Sequence, residues 1–324
     1  RLKLDFAGEL ILLAASDEEQ GSSYGAEWLC KTHPDKMRCD YVLNEGGGTP
    51  VAVGNKLFYT IDNVEKGLWW FRVRVKGTSG HGSIPHNDNA LAKAAYIIDR
   101  VAKHRFPKKL VPSVRELISK VADALGSDMK KIAIMILDES KDGDLPPMPA
   151  SSPLSAGLVN SLTHTGISPT MIHAGVKENV IPDSCEFVLD CRLVPGYTRE
   201  KVKETLMELA GEYKKDIEIE TIQMHDVSES PLTNEFYKLI EQTTKEELPG
   251  VETVPFMLTG ATDSRFVREI GAAAYGFCPM SNKMPAKERE KLIHNDNERI
   301  DLESMELGTK LIAKVSMKAL QAKA

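Results

Sequence analysis

The sequence predicts an α/β protein: a mainly parallel sheet with flanking helices, interrupted by a smaller α+β unit. Three observations predict it. Near the start, the short apolar runs 10–15 and 41–43 each end in a polar signal and are separated by a helical stretch, the pattern of parallel strands covered by helices. In the middle, strands alternate instead, as in a sheet with one exposed face. From about residue 226 a buried style returns, clearest in 272–277. The expected division is 1–66 for the first part of the α/β domain, 67–225 for the inserted unit and 226–324 for the second part.

The elements follow in order. The run Leu10-Ile11-Leu12-Leu13-Ala14-Ala15 is short enough for a fully buried strand. A helix from about Gly25 stops at Pro34, and a second strand at Tyr41-Val42-Leu43 runs into Asn44-Glu45-Gly46-Gly47-Gly48. In 68–76, Trp69, Phe71, Val73 and Val75 share one face; Trp70, Arg72, Arg74 and Lys76 share the other. Both tryptophans read as packing. A glycine-rich turn holds His81, and Asn87, Asp88 and Asn89 offer N-caps for a helix with Leu91, Ala94, Ala95, Ile98, Val101 and Ala102 at helical spacing. Residues 107–165, rich in Pro, Ser, Lys and Asp, read as an elaboration with one helix near 113–125. Residues 186–193 alternate again, a helix follows Thr198, and 217–220 is another alternating strand. Helices near Thr233 and through Leu311, Ile312, Val315 and Ala319 flank the strand at 272–277.

Bulk properties narrow the function. The 324 residues allow one large or two medium domains, and a net charge of −6 leaves no basic footprint for nucleic acid and no polybasic membrane patch. No apolar stretch is long enough to span a bilayer. The five cysteines are scattered, with no Cys-x-x-Cys pair, so neither a disulfide framework nor a thiolate zinc site is suggested. A cytoplasmic location is the expectation, and Arg1 as first residue suggests a piece of a longer or processed protein.

The acidic strand end Asp17-Glu18-Glu19 is the most informative feature. Ligands of open α/β sheets bind at the carboxyl ends of strands, and three adjacent carboxylates call for a positive ion among them. The alternative is a solvated acidic turn. Zinc takes imidazole and carboxylate ligands. The candidates are Glu18 and Glu19, Glu45 at the next strand end, and His294 in a polar loop before the last helix. Neighbouring strand residues point oppositely, so Glu18 and Glu19 divide their work: one toward a metal, the other toward substrate as a general base. A phosphate site at Gly46-Gly47-Gly48 is disfavoured, because no Lys-Ser/Thr follows and an acid precedes.

Together the motifs resemble the co-catalytic two-zinc amidohydrolases and peptidases of carboxypeptidase G, aminoacylase, acetylornithine deacetylase and succinyl-diaminopimelate desuccinylase. The motifs run in order through the chain: Asp17-Glu18-Glu19, Asn44-Glu45-Gly46-Gly47, Gly80-His81, Asn179-Val180-Ile181-Pro182, Asp190-Cys191-Arg192, Gly260-Ala261-Thr262-Asp263-Ser264-Arg265, and His294 with Glu298. The resemblance implies a zinc-peptidase-like catalytic domain interrupted by a ferredoxin-like lid and dimerisation domain. It implies a deacylase or carboxypeptidase that cleaves an amide beside a free carboxylate, in a dipeptide or N-acyl amino acid.

Carried over, Glu18 is the general base for the water that zinc activates. Glu19 and His294 hold one zinc and Glu45 the other, with cobalt or manganese as substitutes. His81 on the lid stabilises the oxyanion and, in a homodimer formed through the lid, reaches the partner's site. Asn179 and Arg192 grip the substrate, and the loop from Gly260 to Arg265 adds backbone contacts and a second guanidinium. Alternatives stay open: His81 as a turn residue, Asn179 as a turn cap, Arg192 paired with Asp190 or Glu186, and Arg265 as part of an amphipathic segment.

The family pattern also needs an upstream His-x-Asp and a bridging Asp. Neither precedes Glu18 here. With two ligands for one ion and one for the other, the fragment alone is expected to bind metal weakly and to leave its carboxylates repelling one another. It is then either most of a larger hydrolase or a degenerate homologue serving as a binding or assembly module.

Overall fold

A computed structural model describes residues 5–321, apart from the side chains of residues 286, 287 and 290; Arg1 lies outside this range. The chain divides into two compact units. The first comprises 1–65, 110–159 and 228–324; the second comprises 66–109 and 160–227.

The first unit is built on a six-stranded sheet whose centre is the long strand Lys56–Glu65. Val251–Leu258 lies parallel to it, while Pro50–Val53, Ser228–Glu229 and Ala273–Gly276 run antiparallel. Tyr41–Asn44 pairs in parallel with Ala273–Gly276. The sheet is therefore mixed, where the sequence pattern suggests a mainly parallel one. A run of apolar residues says that a strand is buried on both faces and says nothing of its direction. One face packs the helices Glu235–Glu247 and Leu302–Ala319 through Phe236, Tyr237, Ile240, Leu311 and Val315 against Ile61 and Tyr275. Helix Pro112–Leu125 lies against Val251–Leu258, and Ala26–Thr32 and Ser264–Glu269 share a small cluster of Cys30, Phe266 and Val267.

Two expectations are corrected here. Residues 10–15 form no strand; Leu10 is 63% exposed and Leu12 94%. A strand exists only through a paired ladder, and among the described residues none pairs with this run, so its apolar character alone does not bring it into the sheet. The stretch 107–165 also differs from its reading as a lid elaboration. It carries a second helix, Ser127–Leu137, with Met129, Ile132 and Ile136 buried, and 110–159 belongs to the first unit.

The second unit follows the sequence closely. Strands Gly166–Ala174, Ser184–Leu193, Gly67–Lys76 and Ile217–His225 form an antiparallel sheet in that order. Trp69, Phe71, Val73 and Val75 with Phe187, Leu189 and Cys191 form the covered face, under helices Ala90–Lys103 and Arg199–Ala210. Asn89 caps the first helix by accepting from the amides of Leu91 and Ala92, and Thr198 caps the second by accepting from Lys201. The first helix buries Ala90, Ala94, Ile97 and Val101, which rotates its inner face by about one residue from the expected stripe. On the open face Arg72 lies 2.6 Å from Glu220, and Lys76 pairs with Glu218.

Candidate active site

Within the first unit the acidic motif forms a one-turn 3-10 helix, Glu18–Gln20. Asp17 and Ser22 adopt left-handed backbone (φ 54° and 67°), and the amides of Gln20 and Ser22 both donate to the Asp17 carbonyl, at 3.0 and 2.9 Å. The Asp17 carboxylate accepts from the Tyr24 amide at 2.9 Å. Glu18 and Glu19 do divide in direction, though by the roughly 120° step of a 3-10 turn rather than by strand alternation. Glu18 is half-buried and faces Glu45 and Asp263 electrostatically; Glu19 is exposed and meets His294, Nε2 to Oε1 at 3.1 Å. His294 itself has a left-handed backbone, φ 53°.

Glu45 follows strand Tyr41–Asn44 and opens the glycine turn. Gly47 has φ +56°, and a Cβ there would meet the Gly276 carbonyl oxygen at 2.0 Å, so only glycine fits. Its amide donates to Asp62 Oδ2 at 2.9 Å. Asp62 is buried, its Oδ1 has no hydrogen-bond partner among the described residues, and burial pushes its carboxyl up to about 7 against the opposing Gly47 amide.

That raised pKa sets a stability prediction. A carboxyl whose folded pKa is raised contributes its full stability below the unfolded value, and the contribution is lost as pH rises toward 7. Asp62→Asn removes the ionisation and keeps an acceptor for Gly47. Its stability relative to wild type should therefore improve by about 2 kcal/mol between pH 5 and pH 8. Urea unfolding at the two pH values measures this; parallel stability curves for the two proteins would rule it out.

The 260–265 loop leaves strand Val251–Leu258 and is anchored from below. Glu65 accepts from Thr262 Oγ1 at 2.6 Å and from the Thr262 amide at 3.3 Å. Arg268 stands 3.3 Å from Glu65 and donates to the Ala274 carbonyl and to the hydroxyls of Ser228 and Ser230. The two side chains are 4% and 7% exposed, a buried ion pair. Asn44 donates to Thr262 Oγ1 and Ser264 Oγ, tying the loop to the strand that ends at Glu45. Gly260 is half-buried with open space beside it. Arg265 is 6% exposed; its guanidinium donates to the carbonyls of Thr262 (3.0 Å) and Gly21 (3.3 Å).

Electrostatically this is a carboxylate cluster with one guanidinium. Glu18 is pushed up to about 7, by burial first and then by Glu45, Asp263 and Glu19, with Arg265 opposing. Glu45 is exposed as a residue, yet its carboxyl is crowded enough that burial leads the upward shift; Asp263, Glu19 and Glu65 add to it and a hydrogen bond with Glu18 opposes it. The shared repulsion between two such carboxyls is what a cation would relieve. The donor types, carboxylate and imidazole, fit zinc. The number does not: among the described residues no three His, Cys, Asp or Glu side chains come together to hold a metal. The chain as described supplies a pair, Glu19 and His294, and no reaction step is routed through an ion.

In the second unit, His81 and Asn179 are brought together. Gly80–His81 pairs antiparallel with Val180–Ile181, and the Gly82 amide donates to the Asn179 carbonyl at 2.8 Å. Both side chains are on exposed residues, and His81 Nδ1 lies 2.7 Å from Ser83 Oγ. Arg192 forms a two-pronged pair with Asp190, at 2.8 and 3.1 Å, with its guanidinium 5.8 Å from the Trp70 ring centre. Beside it, a groove of about 450 Å³ on the open sheet face is lined by Trp70, Met171, His173, Val188 and Ile222.

Sequence reasoning missed Asp62, Glu65, Asp263 and Arg268 as parts of this assembly. Asp263 sits inside a motif that drew attention, but Asp62, Glu65 and Arg268 carry no local signal.

The family model described as a peptidase dimerisation domain matches residues 63–218. Rat aminoacylase-1B is 25% identical over 97% of this chain. The solved M20 family metallo-carboxypeptidase from Sulfolobus solfataricus superposes with a TM-score of 0.63 at 18% identity, over 92% of this chain and 67% of that one. Residues 63–218 belong to the M20 peptidase dimerisation domain, and the chain as a whole is similar in fold to an M20 metallo-carboxypeptidase. A solved tripeptidase from Staphylococcus aureus gives a TM-score of 0.59 at 11% identity over 95% of this chain and 63% of its own. Human N-fatty-acyl-amino acid synthase/hydrolase PM20D1 is 25% identical over 93% of this chain. The chain spans 66% of the aminoacylase and 59% of the human relative. Among the described residues no helix is long and apolar enough to cross a membrane.

Proposed function

We propose that this chain forms most of a zinc-dependent amidohydrolase that cleaves an amide bond beside a free carboxylate, in a dipeptide or an N-acyl amino acid. The observation that carries the reading is the carboxylate cluster around Glu18, coupled electrostatically to Glu45, Asp263 and Glu19, with His294 Nε2 lying 3.1 Å from Glu19 Oε1. The relatives' printed activities, aminoacylase, N-fatty-acyl-amino acid hydrolase and carboxypeptidase, support the substrate class.

In this reading Glu19 and His294 would hold one zinc and Glu45 would contribute to the other. An ion held there would supply Lewis-acid polarisation. Glu18 takes the proton from the attacking water and returns it to the leaving amine; a carboxyl near neutrality suits both halves of that exchange. His81 donates to the developing oxyanion, and Asn179 orients the acyl oxygen. Arg192 takes the substrate carboxylate, with Asp190 fixing the plane of its guanidinium. Gly260 leaves backbone room for the substrate. The second unit forms a homodimer, as its family description suggests.

The test uses the full-length protein. It should cleave N-acyl amino acids, leave their C-terminally amidated analogues intact, and carry about two zinc ions per chain that a chelator removes together with activity. A second reading, a non-catalytic binding or assembly module, draws on the absence of a three-ligand group among the described residues. A full-length protein that holds no zinc and cleaves neither substrate class establishes that module instead.

A further inference from the structure

We propose that Arg265 and Asp263 form a two-point clamp that positions Glu18, rather than binding substrate. The inference rests on the proposed function only for the role of Glu18; the clamp itself is read from contacts.

The turn carrying Glu18 is not self-sufficient. Asp17 and Ser22 sit in left-handed backbone, a conformation that costs on the order of 1 kcal/mol for non-glycine residues and persists only where surroundings enforce it. The run before it, 10–15, is exposed and pairs with no strand among the described residues, so no ladder seen there holds the turn from that side. What holds it is the 260–265 loop. Ser22, fully buried, donates its hydroxyl to Asp263, and Arg265 donates to the Gly21 carbonyl at 3.3 Å. Gly21 in turn closes the one-turn helix by donating to the Glu18 carbonyl at 2.9 Å.

The clamp is fixed at its other end. Arg265 reaches the Thr262 carbonyl at 3.0 Å, and Thr262 is bound through its amide and hydroxyl to Glu65 of the central strand. The path is continuous: central strand, Thr262, Arg265 and Asp263, Gly21 and Ser22, Glu18. A guanidinium 6% exposed that donates to two carbonyls, with its carbon 4.3 Å from the Phe266 ring centre, is turned inward rather than offered to a substrate carboxylate. Its fork geometry suits bridging two backbone segments, which a lysine cannot do.

The experiment compares Arg265→Ala, Arg265→Lys and Asp263→Asn in the full-length protein, by hydrogen exchange and by steady-state kinetics on an N-acyl amino acid. A clamp predicts at least tenfold faster exchange at the amides of 20–22 in Arg265→Ala, with strand 67–76 unchanged. It predicts a kcat loss of about 10- to 100-fold with KM within about twofold, since misplacing a catalytic group spares binding. Added guanidinium should restore part of kcat, and Arg265→Lys should fall between alanine and wild type. A raised KM with kcat retained assigns Arg265 to substrate and overturns the clamp, as does unchanged exchange at 20–22. If the wild-type protein hydrolyses nothing, the proposed function falls, and the exchange measurement alone decides the clamp.

Discussion

Glu18→Gln in the full-length protein should lower kcat by about a thousandfold while leaving KM within about twofold. The substitution keeps the size of the side chain and removes its ability to accept a proton. Glu18 is the half-buried member of the acidic turn, and burial first, then Glu45, Asp263 and Glu19, push its carboxyl up to about 7. The loss should appear in single-turnover measurements, where product release plays no part. Zinc content should be unchanged, because Glu19 and His294 are the paired donors. A variant retaining more than about a tenth of wild-type kcat would place the general base elsewhere.

The second large effect is on stability. Arg268→Met should destabilise the protein by about 3–5 kcal/mol, because it strands the Glu65 carboxylate in the interior with only Thr262 donating to it. The Ser228 hydroxyl and the Ala274 carbonyl lose the guanidinium donor as well, while the Ser230 hydroxyl keeps the Ala274 amide. Adding Glu65→Gln removes the stranded charge and should recover about 1 kcal/mol, a coupling that two independent sites would not show. Urea unfolding of the two single variants and the double variant measures it. A cost under about 1 kcal/mol for Arg268→Met would mean that water reaches the pair.

The two units were unequally legible. In the second, alternation placed Trp69, Phe71, Val73 and Val75 on the covered face and the charged residues opposite, and the structure has them so. Alternation encodes burial of one face directly, and antiparallel neighbours follow from short connections. In the first unit the run 10–15 misled, because apolar composition records what a segment could bury and not whether a partner strand is beside it. The helix Ser127–Leu137 was lost within a stretch whose overall composition is polar.

The candidate site shows the same division. Residue types and order alone marked Glu18, Glu19, Glu45 and His294 as donors, since few chemistries use clustered carboxylates and an imidazole after strand ends. His81 and Asn179 were singled out separately, and the structure makes them neighbours across a two-residue ladder.

By itself the sequence determined the alternating faces, the helix starts after Asn87-Asp88-Asn89 and after Thr198, and a set of candidate groups to bind a cation or move a proton. Those are local properties, written in periodicity and side-chain chemistry. Only the tertiary structure decided that the main sheet is mixed, that Glu18 sits on a one-turn helix, that Arg265 faces inward, and that Asp62, Glu65 and Arg268 lie buried behind the site. Strand direction, desolvation and ion pairing depend on segments some 200 residues apart in the chain, as for Glu65 and Thr262 at a separation of 197, and no window along the sequence contains both partners.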